Sequence, residues 1–185
     1  MALEDYALVT YTELKDALDI PSDSKKTRYE NLINIASTLA NRITKRILKS
    51  ADYTDYLDGN GGSTIVLPQY PITNITELNL DAERNWNAAT EVTEYGIYGE
   101  TGVVTLFEDT FPDAKYSVKV VYTAGYVDVP EDIKSAVIEI VQFLYQRENS
   151  NLIGKKSVQT GEGISESWEL SIPVLALETL LRYKK

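Results

Sequence analysis

YLDGNGGSTIVLPQYPIT, residues Tyr56–Thr73, is the stretch that decides the fold of this chain. A glycine turn, Gly59 to Gly62, runs into a short apolar strand, Ser63 to Leu67, and Pro68 stops it. The stretch belongs to a β-rich insert that spans residues 52–127. Further candidate strands are Ile72 to Leu80, with an imperfect alternation, Val92 to Tyr98, and Val103 to Phe107. Tyr116 to Thr123 is the clearest, with Tyr116, Val118, Val120 and Tyr122 on one face. The pattern predicts a small, mainly antiparallel sheet or a compact sandwich of about five or six strands.

Helical periodicity flanks the insert on both sides. From Ser24 to Lys49, Tyr29, Leu32, Ile33, Ala36, Leu39, Ala40, Ile43 and Ile47 recur in steps of three and four. A helix of that length runs roughly 40 Å. Its other face carries Lys25, Arg28, Arg42, Lys45, Arg46 and Lys49. After the insert, Pro130 opens a second long helix behind an Asp128 cap, striped by Ile133, Ala136, Val137, Ile140, Val141 and Leu144 and ending near Arg147 to Asn149. A short helix over Thr12 to Ala17, capped by Thr12, precedes the first. Pro173 opens a terminal helix through Tyr183, with Val174, Leu177, Leu180 and Leu181 on one side. Asn149 to Ser171 shows no period and reads as a long loop. The expected fold is therefore α+β. Two long amphipathic helices plus short N-terminal and C-terminal helices form a helical core, and the mainly antiparallel β insert lies between the long helices. Residues 1–185 make one domain, in which 149–185 form a C-terminal loop and helix arm.

Composition narrows the chemistry. The chain has 185 residues, of which 43% are hydrophobic and 25% charged, a size that buries roughly 70% of its unfolded surface. It has no cysteine, which excludes disulfides and thiolate metal sites, and no histidine. Lacking imidazole, it lacks the usual general base near neutral pH and every Ser–His or Cys–His nucleophile pair. The net charge of −10 opposes binding to a phosphate backbone, which depends on lysine and arginine. A negative wall would instead let DNA slide past. The start, MALEDYALVTY, carries acids where a signal peptide is basic, and no apolar run reaches the ~18 residues of a membrane span. A soluble protein made inside the cell is expected, with no membrane partner.

Local motifs for catalysis are weak. Asp52, Asp55, Asp58 and Asn60 lack calcium-loop spacing and a closing Glu, and read as a solvated turn leading into a strand. Gly59 to Gly62 precedes a strand rather than a helix, so a hairpin turn fits better than a phosphate loop. Glu91, Glu94, Glu100, Glu108 and Asp109 form no evident pair. Tyrosine is abundant, thirteen against three phenylalanines, which suits both strands and protein interfaces. The basic face of the first long helix suits solvent or intersubunit ion pairs better than DNA. Trp168, isolated in a polar segment, either anchors on a partner or covers the chain's own core.

In combination, LVTYTELKDALDI at the start, NRITKRI at the end of the first long helix, YLDGNGGSTIVLPQYPIT, KVVYTAGY and VPEDIKSAVIEIVQFLYQRE resemble the phage head–tail connector, or adaptor, proteins. Gly125-Tyr126 followed by Val129-Pro130 and the Ile133–Leu144 helix is the more specific part. The resemblance implies a structural virion neck protein without catalysis or cofactor. It implies a ring of about twelve copies, and any such ring needs head-to-tail contacts that close. That ring would sit on the portal protein, extend the channel through which double-stranded DNA passes without sequence-specific binding, and dock the stopper or tail-completion protein. The location implied is the virion neck, after synthesis in the host bacterial cytoplasm. Candidate portal or subunit contacts are Trp168, Leu177, Leu180, Leu181, Arg42, Lys45 and Arg46. The 149–171 loop is expected to order on docking, and deletion of Pro173 to Lys185 is expected to leave a folded chain that no longer joins portals. Another neck protein, or a small β-type module for carbohydrate or calcium, stays open as an alternative.

Overall fold

The computed structural model describes residues 2–86, 89–149, 157–159, 165–167 and 172–184. The chain divides into two compact units, Met1–Leu48 with Val129–Lys185, and Lys49–Asp128. The first is helical and the second is the β insert, which interrupts the helical unit between its two long helices.

The helical unit contains α1 (Tyr11–Ala17), α2 (Lys26–Thr44), α3 (Glu131–Asn149) and α4 (Val174–Arg182). Thr10, not Thr12, caps α1. Its hydroxyl accepts the Glu13 N–H at 3.2 Å, and its own N–H donates back to the Glu13 carboxylate at 2.7 Å. This reciprocal pairing is a capping box. A 3₁₀ turn over Asp23–Lys25 leads into α2. The stripe expected on α2 is present, with Leu32, Ile33, Ala36 and Ala40 buried. Small residues in that stripe let neighbouring helices approach closely.

Helix α2 is shorter than periodicity suggests. It stops at Thr44, where Lys45 turns left-handed at φ 58°. No glycine marks this stop. Instead, polar side chains of the last turn capture the departing backbone: the Thr44 hydroxyl donates to the Arg46 carbonyl at 3.2 Å, and Asn41 Oδ1 accepts the Leu48 N–H at 3.0 Å. At 19 residues the helix spans about 28 Å. Lys45, Arg46, Ile47 and Lys49 therefore do not continue its faces. Between α3 and α4, where a structureless loop is expected, β8 (Ser157–Gln159) and β9 (Ser165–Ser167) pair antiparallel.

The β unit has β1 (Ala51–Leu57), β2 (Thr64–Val66), β3 (Ile72–Leu80), β4 (Thr90–Glu91), β5 (Tyr95–Tyr98), β6 (Val103–Leu106) and β7 (Val118–Ala124). They form two antiparallel sheets, ordered β1-β7-β3-β4 and β2-β6-β5. Val118, Val120, Tyr122 and Leu78 of the first sheet share one core with Ile65, Val104 and Leu106 of the second. This is face-to-face packing of two sheets, each alternating apolar-in and polar-out. The uneven alternation of β3 has a cause: register shifts between Ile72 and Asn74, and between Ile75 and Glu77, insert extra residues into the ladder with β7.

Three expectations change here. The Asp52-to-Asp58 run is not a turn but edge strand β1 and its end. Each acid accepts a hydrogen bond within the unit: Asp52 from the Thr123 hydroxyl at 2.6 Å, Asp55 from the Tyr122 hydroxyl at 2.7 Å and Asp58 from the Tyr116 N–H at 2.9 Å. Tyr116 is exposed and left-handed, so β7 begins only at Val118. Nor is Gly59 to Gly62 a hairpin turn, since β1 and β2 lie in different sheets. Gly59 passes so close to the Pro112 carbonyl that a Cβ there would sit 1.8 Å from its oxygen. Where the insert opens and closes, Lys49 bridges Tyr126, and the Ser50 N–H donates to the Tyr126 carbonyl at 3.0 Å.

The polar contact inside this sandwich is testable. Tyr122 is buried, and its hydroxyl donates to Asp55 while accepting the Gln69 N–H at 3.3 Å. The Tyr53 ring lies tilted against it at 5.5 Å, but its buried hydroxyl has no hydrogen-bond partner among the described residues. Tyr122→Phe, which strands Asp55, is expected to cost about 1–2 kcal/mol in urea unfolding, whereas Tyr53→Phe should change stability by no more than about 0.5 kcal/mol, with a gain favoured.

Candidate functional site

The surfaces that stand out lie on the helical unit, and the first begins at the N-terminal segment. Asn34 on α2 is buried and clamps that segment: its Oδ1 accepts the Glu4 N–H at 3.1 Å and its Nδ2 donates to the Ala2 carbonyl at 3.0 Å. One turn on, buried Ser37 accepts the Leu8 N–H through its hydroxyl at 3.1 Å. Fixing the segment in this way places Tyr6 beside α2. Tyr6, Asn31, Ile35, Thr38, Leu39 and Arg42 then line a mostly apolar groove of about 520 Å³. Ile35 is 52% exposed in the middle of a long helix. Polar Asn34 and Ser37, three residues apart beside the apolar stripe, are the sequence signal that would have disclosed this clamp.

The second surface is the outer side of α4. Ala176 and Leu180 face inward and are buried, whereas Val174 is 56%, Leu175 68% and Leu181 45% exposed. Glu178 is exposed and lies one turn from each of these three. The orientation of α4 is set from its C-terminal end. Arg46 Nε donates to the Tyr183 carbonyl at 3.0 Å, and the Tyr183 hydroxyl sits 2.8 and 2.9 Å from the two oxygens of Asp132. A guanidinium at a helix C-terminus meets both the unpaired carbonyls and the negative end of the dipole.

The seven candidate residues separate accordingly. Leu181, Arg42 and Lys45 are exposed, Leu177 is half-buried, and Leu180 belongs to the core of its own chain. Arg46, at 4% exposure, is not part of a solvated basic face but holds α4. Trp168 lies outside the described residues. Since Leu180 and Tyr183 are built into the helical unit, deletion of Pro173 to Lys185 would remove core along with surface. Changes on the exposed stripe are the cleaner probe. Residues sequence reading did not single out, Tyr6, Ile35, Leu175 and Glu178, complete the two surfaces.

Half of the expected basic face, Lys25, Arg28 and Arg46, is engaged within the unit. Lys25 donates to the Tyr145 hydroxyl at 2.8 Å, and Arg28 meets Glu148 at 2.7 Å, both joining α2 to α3. Tyr145 stacks on Tyr29 at 4.8 Å. The hydrogen bond from Lys25, then those involving Tyr29 and Asn149, hold the Tyr145 phenol well below its ordinary value, at about 8. Tyr29, buried, is pushed up to about 12. Among the described residues no ion pair includes Arg42 or Lys45, and no group of three or more His, Cys, Asp or Glu could hold a metal ion. No helix of the described residues is long and apolar enough to cross a membrane.

Residues 7–185 match the family described as "Head completion protein". No curated protein matches the chain. Solved structures do. A chain in the neck of an empty GTA particle, computed with C6 symmetry, superposes with a TM-score of 0.66 at 16% identity, covering 100% of this chain and 92% of that one. A chain in the neck of a native GTA particle, computed with C12 symmetry, gives 0.62 at 19% identity with the same coverage. A chain in the virion of a native gene transfer agent gives 0.63 at 16% identity, again over 100% and 92%. At these identities the likeness is one of fold.

Two side-chain clusters carry predictions. Glu13 also pairs with Lys134 of α3 at 2.8 Å. Burial raises its carboxyl, but hydrogen bonds from Lys134 and Thr10 outweigh this and lower it to about 2. A folded-state value below the unfolded one gives stability that is present above the unfolded value and lost as pH falls through the folded one. Glu13→Gln should therefore lower stability at neutral pH, by about 0.5–1 kcal/mol for so exposed a pair. The difference should shrink between about pH 4.5 and pH 2 when both proteins are unfolded with urea across that range. Separately, phenolate absorbance should show one of the thirteen tyrosines ionising near pH 8, and Tyr145→Phe should remove that step.

Proposed function

This chain belongs to the head completion protein family, and from that premise we propose that it is the head–tail adaptor of a virion neck. It assembles as a ring on the portal, extends the DNA channel and docks the stopper or tail. The family is structural rather than enzymatic. The observation that carries the proposal is the family match over residues 7–185, together with a fold shared along its whole length with chains of a symmetric particle neck.

The geometry is consistent with such a role. A ring with head-to-tail contacts needs two different faces on each subunit, whereas a two-fold dimer needs one self-complementary face. The helical unit leaves two apolar faces uncovered among the described residues, the α2 groove and the outer stripe of α4. The charge fits passage of DNA rather than its capture. The net charge is −10, and Lys25 and Arg28 are tied to α3 rather than presented to a phosphate backbone.

Mixing the purified chain with a purified portal ring from the same genome, and imaging the product by cryo-electron microscopy, tests the proposal. A symmetric layer of this chain directly on the portal is the expected result. A bare portal beside a folded, monodisperse chain would overturn the adaptor assignment and move the protein to a later position in the neck, as a stopper or tail-completion protein.

A further inference from the structure

We infer that the α2 groove is the receptor for the outer stripe of α4 from a second copy of this chain. Such a contact is heterologous and repeats from subunit to subunit. The inference rests on the ring reading above and names the contact that would close the ring.

Three observations favour a second copy as the occupant. The first is charge. The groove carries Arg42 at one end, the α4 stripe carries Glu178 among its apolar residues, and neither joins an ion pair among the described residues. Bringing the stripe to the groove pairs them at the margin of an apolar contact, where such a pair sets register more than affinity. The second is length. The α2 side of the groove runs from Asn31 to Arg42, about 16 Å of helix, and Val174 to Leu181 runs about 10 Å, so the ridge fits within the trough with room to bring Glu178 towards Arg42. The third is chemistry. Ile35, Leu39 and Tyr6 offer an open apolar trough, and Val174, Leu175 and Leu181 offer an apolar ridge on an amphipathic helix. An amphipathic helix laid in an apolar groove is a standard recognition mode, read by anchors three, four and seven residues apart.

Within one copy the stripe cannot serve its own groove. α4 is held to its own chain by buried Leu180, by Arg46 on the Tyr183 carbonyl and by Tyr183 on Asp132. The same bonds that turn Leu180 inward turn Leu175 and Leu181 outward, so the stripe is presented as a rigid element rather than a loose tail.

The absence of native cysteine makes the contact directly testable on assembled portal complexes. Chains carrying Ile35→Cys or Leu39→Cys together with Val174→Cys, Leu175→Cys or Leu181→Cys are oxidised after the layer has formed. At least one combination is expected to give a ladder of dimers, trimers and larger species, while each single-cysteine chain stays monomeric on the gel. Arg42→Glu and Glu178→Arg should each reduce incorporation into the layer at least several-fold, and the two combined in one chain should restore it. A layer that forms normally with no ladder from any combination, and with the charge reversals silent, overturns the inference and leaves the adaptor reading standing. Dimers from single-cysteine chains would equally overturn it, in favour of a two-fold contact. If the unmodified chain forms no layer on the portal, the adaptor reading itself fails.

Discussion

A buried guanidinium organises the helical unit. Arg46 lies just past the end of α2, only 4% exposed, and its Nε reaches the carbonyl of Tyr183 at the far end of the chain. A charge removed from water must be met by hydrogen-bond acceptors, and breaking such a contact leaves both partners stranded. The last carbonyls of α4 supply what Arg46 needs, and Arg46 supplies what those carbonyls lack. Tyr183, one residue beyond the helix, adds a bond to Asp132 in the first turn of α3. The ends of α2, α3 and α4 are thereby tied at one place, and the rotation of α4 about its axis follows. Ala176 and Leu180 must point inward, so Val174, Leu175, Glu178 and Leu181 must point out.

The same economy of backbone partners appears midway along α2. Asn34 and Ser37 sit beside the apolar stripe and would be a liability there if unpaired. They are paired with the main chain of residues 2–8 instead, which fixes the N-terminal segment as one wall of a groove. Both surfaces of the helical unit that suit assembly are thus by-products of satisfying buried polar groups. In the β unit a buried tyrosine does comparable work. Tyr122 spans from edge strand β1, through Asp55, to the backbone of Gln69. Lys49 and Tyr126 lie side by side where the unit begins and ends. An insert whose ends are adjacent can be accommodated between two helices without pulling them apart.

Much of this was legible in the residues. Apolar spacing announced both long helices and the terminal one, the alternation of Val118, Val120 and Tyr122 announced the central strand, and missing histidine and cysteine removed most enzyme chemistry. These features are local: a helix or strand declares itself through which side chains share a face, and composition needs no structure at all. What escaped depended on partners far along the chain. β1 read as an acidic turn because its aspartates are poor strand formers, and it is a strand because β7 lies alongside it, Asp55 opposite Val120.

The end of α2 and the roles of its cations belong to the same class. Lys45 ends the helix without glycine because Asn41 and Thr44 catch the backbone beyond it, at Leu48 and Arg46. Arg46 looks like one more member of a basic face until Tyr183 is brought to it. Sequence by itself determined the two long helices and the terminal one, the central strand, the α+β order, and an acidic composition without histidine or cysteine. Tertiary structure alone decided that Leu180 is core while Leu181 is surface, and that Arg46 is a buried tie while Arg42 remains outside. The physical reason is that periodicity specifies a face, whereas only long-range polar partners, here separated by more than a hundred residues, specify how far that face is rotated and where it stops.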